Sequence, residues 1–500
     1  MVTDNQLAPF LLLIPFPMLN LARTFSLTCL FALLCVTPAF ADAPNVLVIL
    51  SDDAGYADFG FTHAHATRLA DGNPNADSKP LVPTPNLDRL AARGVVCTQA
   101  YVTASTCTPS RMGLMSGRYQ QRFGAECNVP TKPTPGFTKE DLGLDTSQST
   151  MGTKMAAAGY RTMAIGKWHL GELPKYHPNE RGFDEFYGFL GGSRTYWPVA
   201  KPRHANAIRR NDDPVNEIES IEYLTDDLTD AAIEFMARDD EKPFFIYLAY
   251  NAVHSPFEAT EEDLEQVGVI SPPVRQKVAA MTKSMDDNIG RMMNHLEENG
   301  LADKTLVVFL NDNGGTQGNA HDNGDLRGFK GTYWEGGIRI PMIVSWPDRL
   351  PQGTSYDHPV SALDLMPTCL AASDRLATTT TPMDGVNLLP FLCGESNTPP
   401  HEFLFWRFWR IAAVRHGKWK LIRVAENPLS ETRELLAPLM LFDLENDPTE
   451  TSNVARTHPD QTNDLLERLQ KWETGLTQPR WYDGSRWQHW QKAQLINHAE

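Results

Sequence analysis

The sequence predicts an α/β fold built on a large, mainly parallel sheet, with a smaller C-terminal part carrying an antiparallel sheet. Three observations carry this. Short continuous apolar runs recur, and each is closed by polar residues. Segments with helical spacing lie between them. After Phe391 the texture changes to closely spaced strand-like runs and one last helix.

The apolar runs are residues 45–50 (NVLVIL), 160–166 (YRTMAIG), 243–250 (PFFIYLAY), 305–310 (TLVVFL) and 340–346 (IPMIVSW). Such runs suit strands buried on both faces of a parallel sheet. Residues 84–94, 151–159 and 274–300 carry helical patterns, the last two closed by glycine. Alternation of the two implies an α/β sandwich. In such sheets ligands bind beyond the carboxyl ends of the strands. The residues standing at those ends are Asp52 and Asp53, Lys167 and His169, His254, and Asp312 and Asn313. Residues far apart in sequence are thereby expected at one edge.

Residues 393–400 (CGESNTPP) form a linker, which divides the chain into a domain at 42–398 and a subdomain at 399–500. Within the latter, 403–424 and 440–455 read as antiparallel strands with a turn at His416-Gly417, and 462–476 as a helix. The tail from Arg480 is rich in Trp and polar residues. Residues 1–41 read as an export signal. Arg23 precedes an apolar run broken by Thr28, and Ala39-Phe40-Ala41 is a small-x-small cleavage site. The run is too short for a membrane span, so no stable membrane anchor is expected. A start at Met18 would serve the signal as well. A periplasmic or secreted protein is expected.

A chain of 500 residues, 41% hydrophobic and 21% charged, can bury a large core. Its net charge of −17 argues against nucleic acid as a partner. An anionic substrate would then need a local cationic site. Arg111, Lys167, Lys330, His169 and His254 are its candidates; each is also readable as an ordinary surface residue. An isolated Asp-Asp pair is as readily a helix cap or a solvated turn. Asp52-Asp53 together with Asp312-Asn313, each following an apolar run, makes a hard oxygen site for Ca²⁺ or Mg²⁺ the better reading.

Cys107 stands apart. It sits in a polar stretch, directly before Thr-Pro-Ser-Arg, without thiolate partners at zinc spacing. Two of the seven cysteines leave with the signal, so five remain, an odd number for an exported protein. One of them is unpaired or chemically altered. Pairing among Cys97, Cys127, Cys369 and Cys393 stays open.

Residues 107–111 (CTPSR) resemble the Cys-x-Pro-Ser-Arg modification signature of type I sulfatases, in the alkaline phosphatase superfamily. Residues 159–169 (GYRTMAIGKWH) resemble the second signature of that family. NVLVILSDDAGYADFG, NDNGG and LRGFKGTYWEGGIRIP are similar to further family segments, in the right order. The resemblance runs from Asn45 to about Ala455. One departure is Ser116, where relatives usually carry Thr or Ala.

The resemblance implies an alkaline-phosphatase-like fold and a sulfuric ester hydrolase. It implies that Cys107 is oxidised to Cα-formylglycine by a formylglycine-generating or other sulfatase-maturing enzyme that reads an extended chain before folding. Asp52, Asp53, Asp312 and Asn313 would bind a divalent cation, Ca²⁺ ahead of Mg²⁺, with modified Cys107 as a further ligand. Arg111 would stabilise the modified residue, and Lys167 and Lys330 would hold sulfate oxygens. His169 would be the base for adduct collapse. His254 would be the acid for the leaving alcohol, shared with Lys330. The substrate would be a sulfated carbohydrate or an aryl sulfate, and residues 191–205 (GGSRTYWPVAKPRHA) are a candidate substrate loop. A phosphonate or phosphate ester hydrolase of the same superfamily is one alternative. An unmodified, inactive sulfoglycan-binding protein is another.

Overall fold

The computed structural model describes residues 43–66, 82–130, 133–316, 320–374, 382–425 and 434–481. The export signal expected at 1–41 and the tail beyond Trp481 lie outside them. The strands are β1 (Asn45–Ser51), β2 (Val95–Cys97), β3 (Ala100–Tyr101), β4 (Arg161–Lys167), β5 (Glu185–Phe189), β6 (Arg209–Arg210), β7 (Asp213–Pro214), β8 (Phe244–Ala249) and β9 (Thr305–Asn311). They continue with β10 (Arg339–Ile340), β11 (Met342–Ser345), β12 (Thr354–Tyr356), β13 (Val360–Ser361), β14 (Phe403–Phe408), β15 (Ile411–His416), β16 (Trp419–Val424) and β17 (Met440–Asp443). Ten of them form one sheet in the order β12-β2-β11-β9-β1-β8-β4-β5-β6-β7. Its centre, β9-β1-β8-β4-β5, is parallel.

The apolar runs explain the layering. Strand side chains alternate between faces. Val46, Val48 and Leu50 of β1 enter one core, and Leu47 and Ile49 enter another. The helix Pro273–Glu298 covers the second face. Its Val278, Met281, Met285, Ile289 and Met292 recur every three or four residues and are buried with Leu47 and Ile49. The helix Cys107–Ser116 lies on the first face, where Met112, Leu114 and Met115 share the core of Val46 and Val48. Gly117 ends it in the left-handed region, at φ 63°. Among the described residues, no helix is long and apolar enough to cross a membrane.

One apolar run departs from the parallel expectation. Residues 340–346 are split at Pro341, which has no N–H to give a ladder. Arg339–Ile340 pairs with β3, while Met342–Ser345 runs antiparallel to β9.

β14 to β17 form an antiparallel sheet in sequence order, with Gly417 at φ 54° in the β15–β16 turn. The helix Pro459–Glu473 buries Leu465 and Leu469 against Ala412, Val414, Leu421 and Leu441. From the other face, Trp406, Ile422 and Met440 join the core that holds Met112 and Met115. Lys420 of β16 is fully buried between two carboxylates, 2.9 Å from Glu335 Oε1 and 2.8 Å from Glu450 Oε1. Glu450 Oε2 also accepts the Glu335 N–H at 2.6 Å. This lock ties the C-terminal sheet to the segment that follows Lys330. Removing one member of a buried ion group typically costs 3–5 kcal/mol. Lys420→Ala is therefore expected to lose about that much in a urea titration. A loss below about 1 kcal/mol would show that the lock carries no weight.

Candidate active site

Four neighbouring parallel strands deliver their closing residues to one edge of the sheet. β1 runs into Asp52 and Asp53, β4 ends at Lys167, β8 leads to His254, and β9 leads to Asp312 and Asn313. Asp53 turns the chain sharply, at φ 65°, and its N–H donates to Asp312 Oδ1 at 3.2 Å. His169 also lies in the left-handed region, at φ 57°. Lys330 arrives on the loop after β9. Its N–H is fixed on Gly315 O at 2.9 Å, and the Gly331 N–H on Ser105 O at 2.7 Å.

Cys107 is not in a turn, as its polar neighbours suggest, but is the first residue of a helix and only 1% exposed. Pro109 is tolerated in that first turn because the first N–H groups of a helix have no partner within it. The sulfur is 3.1 Å from Lys330 Nζ, 3.7 Å from Asp52 Oδ1 and 3.9 Å from Asp53 Oδ1. Lys330 Nζ also donates to Asp53 Oδ1 at 2.6 Å, and Lys167 Nζ to Asp52 Oδ2 at 2.5 Å. Arg111 Nε donates to Asp312 Oδ2 at 2.9 Å, its Nη1 to Lys167 O at 2.9 Å, and its Nη2 is 3.6 Å from Asp52. Three buried carboxylates thus meet three buried cations. His254 Nε2 is 3.5 Å from Asp53 Oδ2, and its Nδ1 donates to Ser255 O at 2.5 Å.

The electrostatics follow from burial set against these pairs. Burial opposes the charge of Asp52 and Asp53, but Lys167, Lys330, His254 and Arg111 outweigh it and lower both carboxyls. Asp312 goes the other way, up to about 6, because burial and Asp52 outweigh Arg111. Burial pushes the Cys107 thiol up to about 12 despite both lysines. Burial, then Lys167, Arg111 and Lys330, holds His169 well below the usual histidine value. Burial lowers His254 as well, against the pull of Asp53 and Asp52.

The carboxylates of the site suit a hard cation, beside a thiol and an imidazole that do not. Asp52, Asp53, Cys107 and His254 each place a ligand atom within 4.8 Å of the others. Asn313 Nδ2 donates to Asp53 Oδ1 at 2.8 Å, yet its Oδ1 is buried with no hydrogen-bond partner. An orphaned amide oxygen beside carboxylates is what an oxygen-seeking ion would satisfy. Asp312 has one oxygen on Arg111 and the other on the Asp53 N–H.

All the residues expected at the strand ends are therefore brought together with Cys107, Arg111 and Lys330. Three others escape sequence reasoning. Asn311 braces the acidic turn by donating to Ala54 O at 2.6 Å and accepting Ser51 Oγ at 2.9 Å. Asn251, just before His254, is buried with neither side-chain atom partnered. Both stand at strand ends, the one signal available for them. Gly192 lies so close to the His169 ring that a Cβ there would be 2.4 Å from Nε2. In the candidate substrate loop, Arg194 is not free to meet an anion, because it is buried against Glu217. Cys97, Cys369 and Cys393 are free thiols.

Known proteins share this arrangement of sequence and fold. The Sulfatase family profile matches residues 44–374, and the profile for the N-sulphoglucosamine sulphohydrolase C-terminal region matches 328–476. Arylsulfatase A of Bos taurus is 30% identical over 484 residues, covering 87% of this chain and 88% of the relative. N-acetylgalactosamine-6-sulfatase of Homo sapiens is 30% identical over 392 residues, covering 75% of this chain and 71% of the relative. Among solved structures, Ps i-CgsB in complex with k-i-k-neocarrahexaose superposes with a TM-score of 0.77 at 32% identity, over 91% of this chain and 98% of that one. A phosphonate monoester hydrolase of Agrobacterium radiobacter shares the fold at a TM-score of 0.61 and 19% identity, over 86% and 95% of the two chains. The family profile spans the whole parallel sheet and its polar edge, and the chain belongs to the sulfatase family.

Proposed function

We propose that this sulfatase removes sulfate from a sulfated carbohydrate, with residue 107 acting as the hydrate of Cα-formylglycine. The observation that carries this is the setting of Cys107. Its sulfur is buried against Lys330 and two aspartates, and at about 12 it is a protonated thiol at neutral pH, a poor nucleophile as it stands. An aldehyde hydrate at the same position carries two hydroxyls on one carbon. The oxygen of one gives its proton to a neighbouring aspartate and attacks sulfur as the bond from sulfur to the leaving alcohol breaks; that alcohol takes its proton from His254, in the imidazolium form that Asp53 and Asp52 favour, with Lys330 sharing the role. The second hydroxyl then gives its proton to His169, the bond from carbon to the sulfated oxygen breaks, and the aldehyde returns. His169, held neutral by burial and its cationic neighbours, is suited to accept that proton. Lys167 and Lys330 would hold sulfate oxygens and offset charge on the transferring group.

Asp52, Asp53, Asp312 and Asn313 would hold a divalent cation, with Ca²⁺ favoured by their all-oxygen donors. Such an ion supplies charge neutralisation to the attacking oxygen. EDTA is expected to abolish most activity, and Ca²⁺ to restore it better than Zn²⁺. Stoichiometric zinc or iron in active enzyme, without calcium or magnesium, would overturn the assignment.

The export expected from residues 1–41 would fit a polysaccharide-derived substrate, and the similar Ps i-CgsB was solved with a neocarrahexaose. Desulfation of carrageenan, ulvan, fucoidan and glycosaminoglycan oligosaccharides, measured beside aryl sulfate and aryl phosphate, tests the reading. Faster hydrolysis of phosphate than of sulfate esters would favour the phosphoester alternative. Mass spectrometry of the tryptic peptide around residue 107 should show a species lighter than cysteine. An unmodified cysteine in an inactive protein would favour the sulfoglycan-binding alternative.

A further inference from the structure

The loop at 191–205 is a built structure. Its ends meet where the Gly191 N–H donates to Ala205 O at 2.7 Å, the closed form of an Ω-loop. Its interior is filled by its own side chains. Arg194 forks onto Glu217 at 2.7 and 3.1 Å and donates to the carbonyls of Thr195 at 3.0 Å, Asn206 at 2.8 Å and Trp197 at 3.3 Å. Glu217 in turn accepts the Val199 and Ile208 N–H groups, both at 2.9 Å. Tyr196 is fully buried and stacks on Tyr223.

The same interior reaches the two histidines of the site. Gly192 lies on the His169 ring. Tyr196 OH is 2.9 Å from His254 O. Ser193 Oγ donates at 2.9 Å to Ser255 O, the carbonyl that also receives His254 Nδ1. What the loop turns outward is different in kind. Trp197 is 38% exposed, with its ring tilted against Tyr223 at 5.2 Å. Lys201, Arg203 and His204 are exposed beyond it. The fifteen residues contain no carboxylate, in a chain of net charge −17.

We infer that this loop is a sugar subsite beside the sulfate pocket. Trp197 stacks on a ring of the substrate, and Lys201 and Arg203 meet an anionic substituent, sulfate or carboxylate, on a neighbouring sugar. The inference rests on the sulfated-carbohydrate reading and narrows it to oligosaccharides carrying a second anionic group. A platform already fixed by Arg194, Glu217 and Tyr223 loses little freedom on binding. A sugar presents an apolar C–H face, which suits an amphipathic ring. Two cations inside a Debye length of the ligand add a salt-sensitive attraction.

The test is steady-state kinetics on 4-nitrophenyl sulfate and on carrageenan and chondroitin sulfate hexasaccharides, with Trp197→Ala, Trp197→Tyr and the double variant Lys201→Ala/Arg203→Ala. Trp197→Ala should lose about tenfold more kcat/KM on the preferred hexasaccharide than on the aryl sulfate, chiefly through KM, the size of one aromatic contact. Trp197→Tyr should recover most of it, which a purely structural role predicts on both substrates alike. The double variant should flatten the salt dependence on the hexasaccharide. Equal losses on the two substrates, or none on the hexasaccharide, would overturn the subsite while leaving the carbohydrate reading intact. Wild-type enzyme that cleaves only the aryl sulfate would overturn both. If Trp197→Ala does not fold, the Trp197→Tyr and double-variant comparisons decide alone.

Discussion

Cys107→Ala is expected to abolish turnover and leave the fold intact. The side chain at 107 is buried, but its sulfur faces a lysine and two carboxylates rather than the apolar core. Its loss therefore removes little packing and all of the nucleophile. The loss should be at least ~10³-fold, the range seen when a covalent nucleophile is removed and only binding and electrostatics remain. Cys107→Ser separates the hydrate from a simple alcohol. A serine oxygen can attack sulfur once, but the resulting ester has no second hydroxyl to collapse it. One equivalent of alcohol should appear in a burst, followed by almost nothing, and the peptide around 107 should gain the mass of a sulfate. Multiple-turnover rates for Cys107→Ser comparable with wild type would sink the hydrate mechanism.

His254→Ala should hurt substrates according to how badly their alcohol leaves. A sugar alkoxide needs a proton as it departs, and a nitrophenolate hardly does. General acid catalysis is worth roughly 10²–10⁴-fold. His254→Ala should lose about that much on a sugar sulfate and far less on 4-nitrophenyl sulfate. The geometry gives the test its force. His254 Nδ1 is tied to Ser255 O, so Nε2 faces Asp53 and can give a proton only from the imidazolium, the form that Asp53 and Asp52 favour against burial. His169→Ala should slow the collapse common to both substrates, and so impair both when that step limits turnover. Single-turnover rates then stay closer to wild type than multiple-turnover rates. Equal losses for His254→Ala on the two leaving groups would refute the acid role and leave His254 as a binding residue.

The polar edge was legible because parallel strands all end on the same side. A buried apolar run closed by Asp-Asp, Lys-Trp-His or Asp-Asn therefore states both a strand and a location. Strand direction was not legible at residues 342–345. A strand buried on both faces reads the same whichever way it runs, and only its partner, β9, decides. The Cys107 helix was hidden by its own chemistry. Every residue from Cys107 to Ser116 is buried, so polar and apolar positions do not alternate as on an amphipathic helix. The Lys420 lock was out of reach for another reason. Its partners lie 85 residues away at Glu335 and beyond β17 at Glu450, and each looks like a surface residue until the sheet is placed. The cationic character of 191–205 was legible, but which of its basic residues faces inward was not, because Arg194 is claimed by Glu217, outside the loop.

The packing of the C-terminal sheet sets a clock on maturation. Trp406 Nε1 donates to Val102 O, Gln121 Nε2 to Arg407 O, and Trp481 Nε1 to Cys127 O, so this part of the chain closes over both flanks of the helix that begins at Cys107. An enzyme that must grip residues 107–111 in extended form has to act before that closure. Nearly 300 residues separate Cys107 from Phe403. At ribosomal rates of about 5–20 residues per second, they take roughly 15–60 s to emerge. Until then the helix lacks the part of its packing that Trp406, Ile422 and Met440 supply. On the formylglycine reading, the fraction of active enzyme is therefore decided by a race between the modifying enzyme and the last fifth of the chain. Supplying that enzyme during synthesis should raise specific activity, and adding it to folded protein should not.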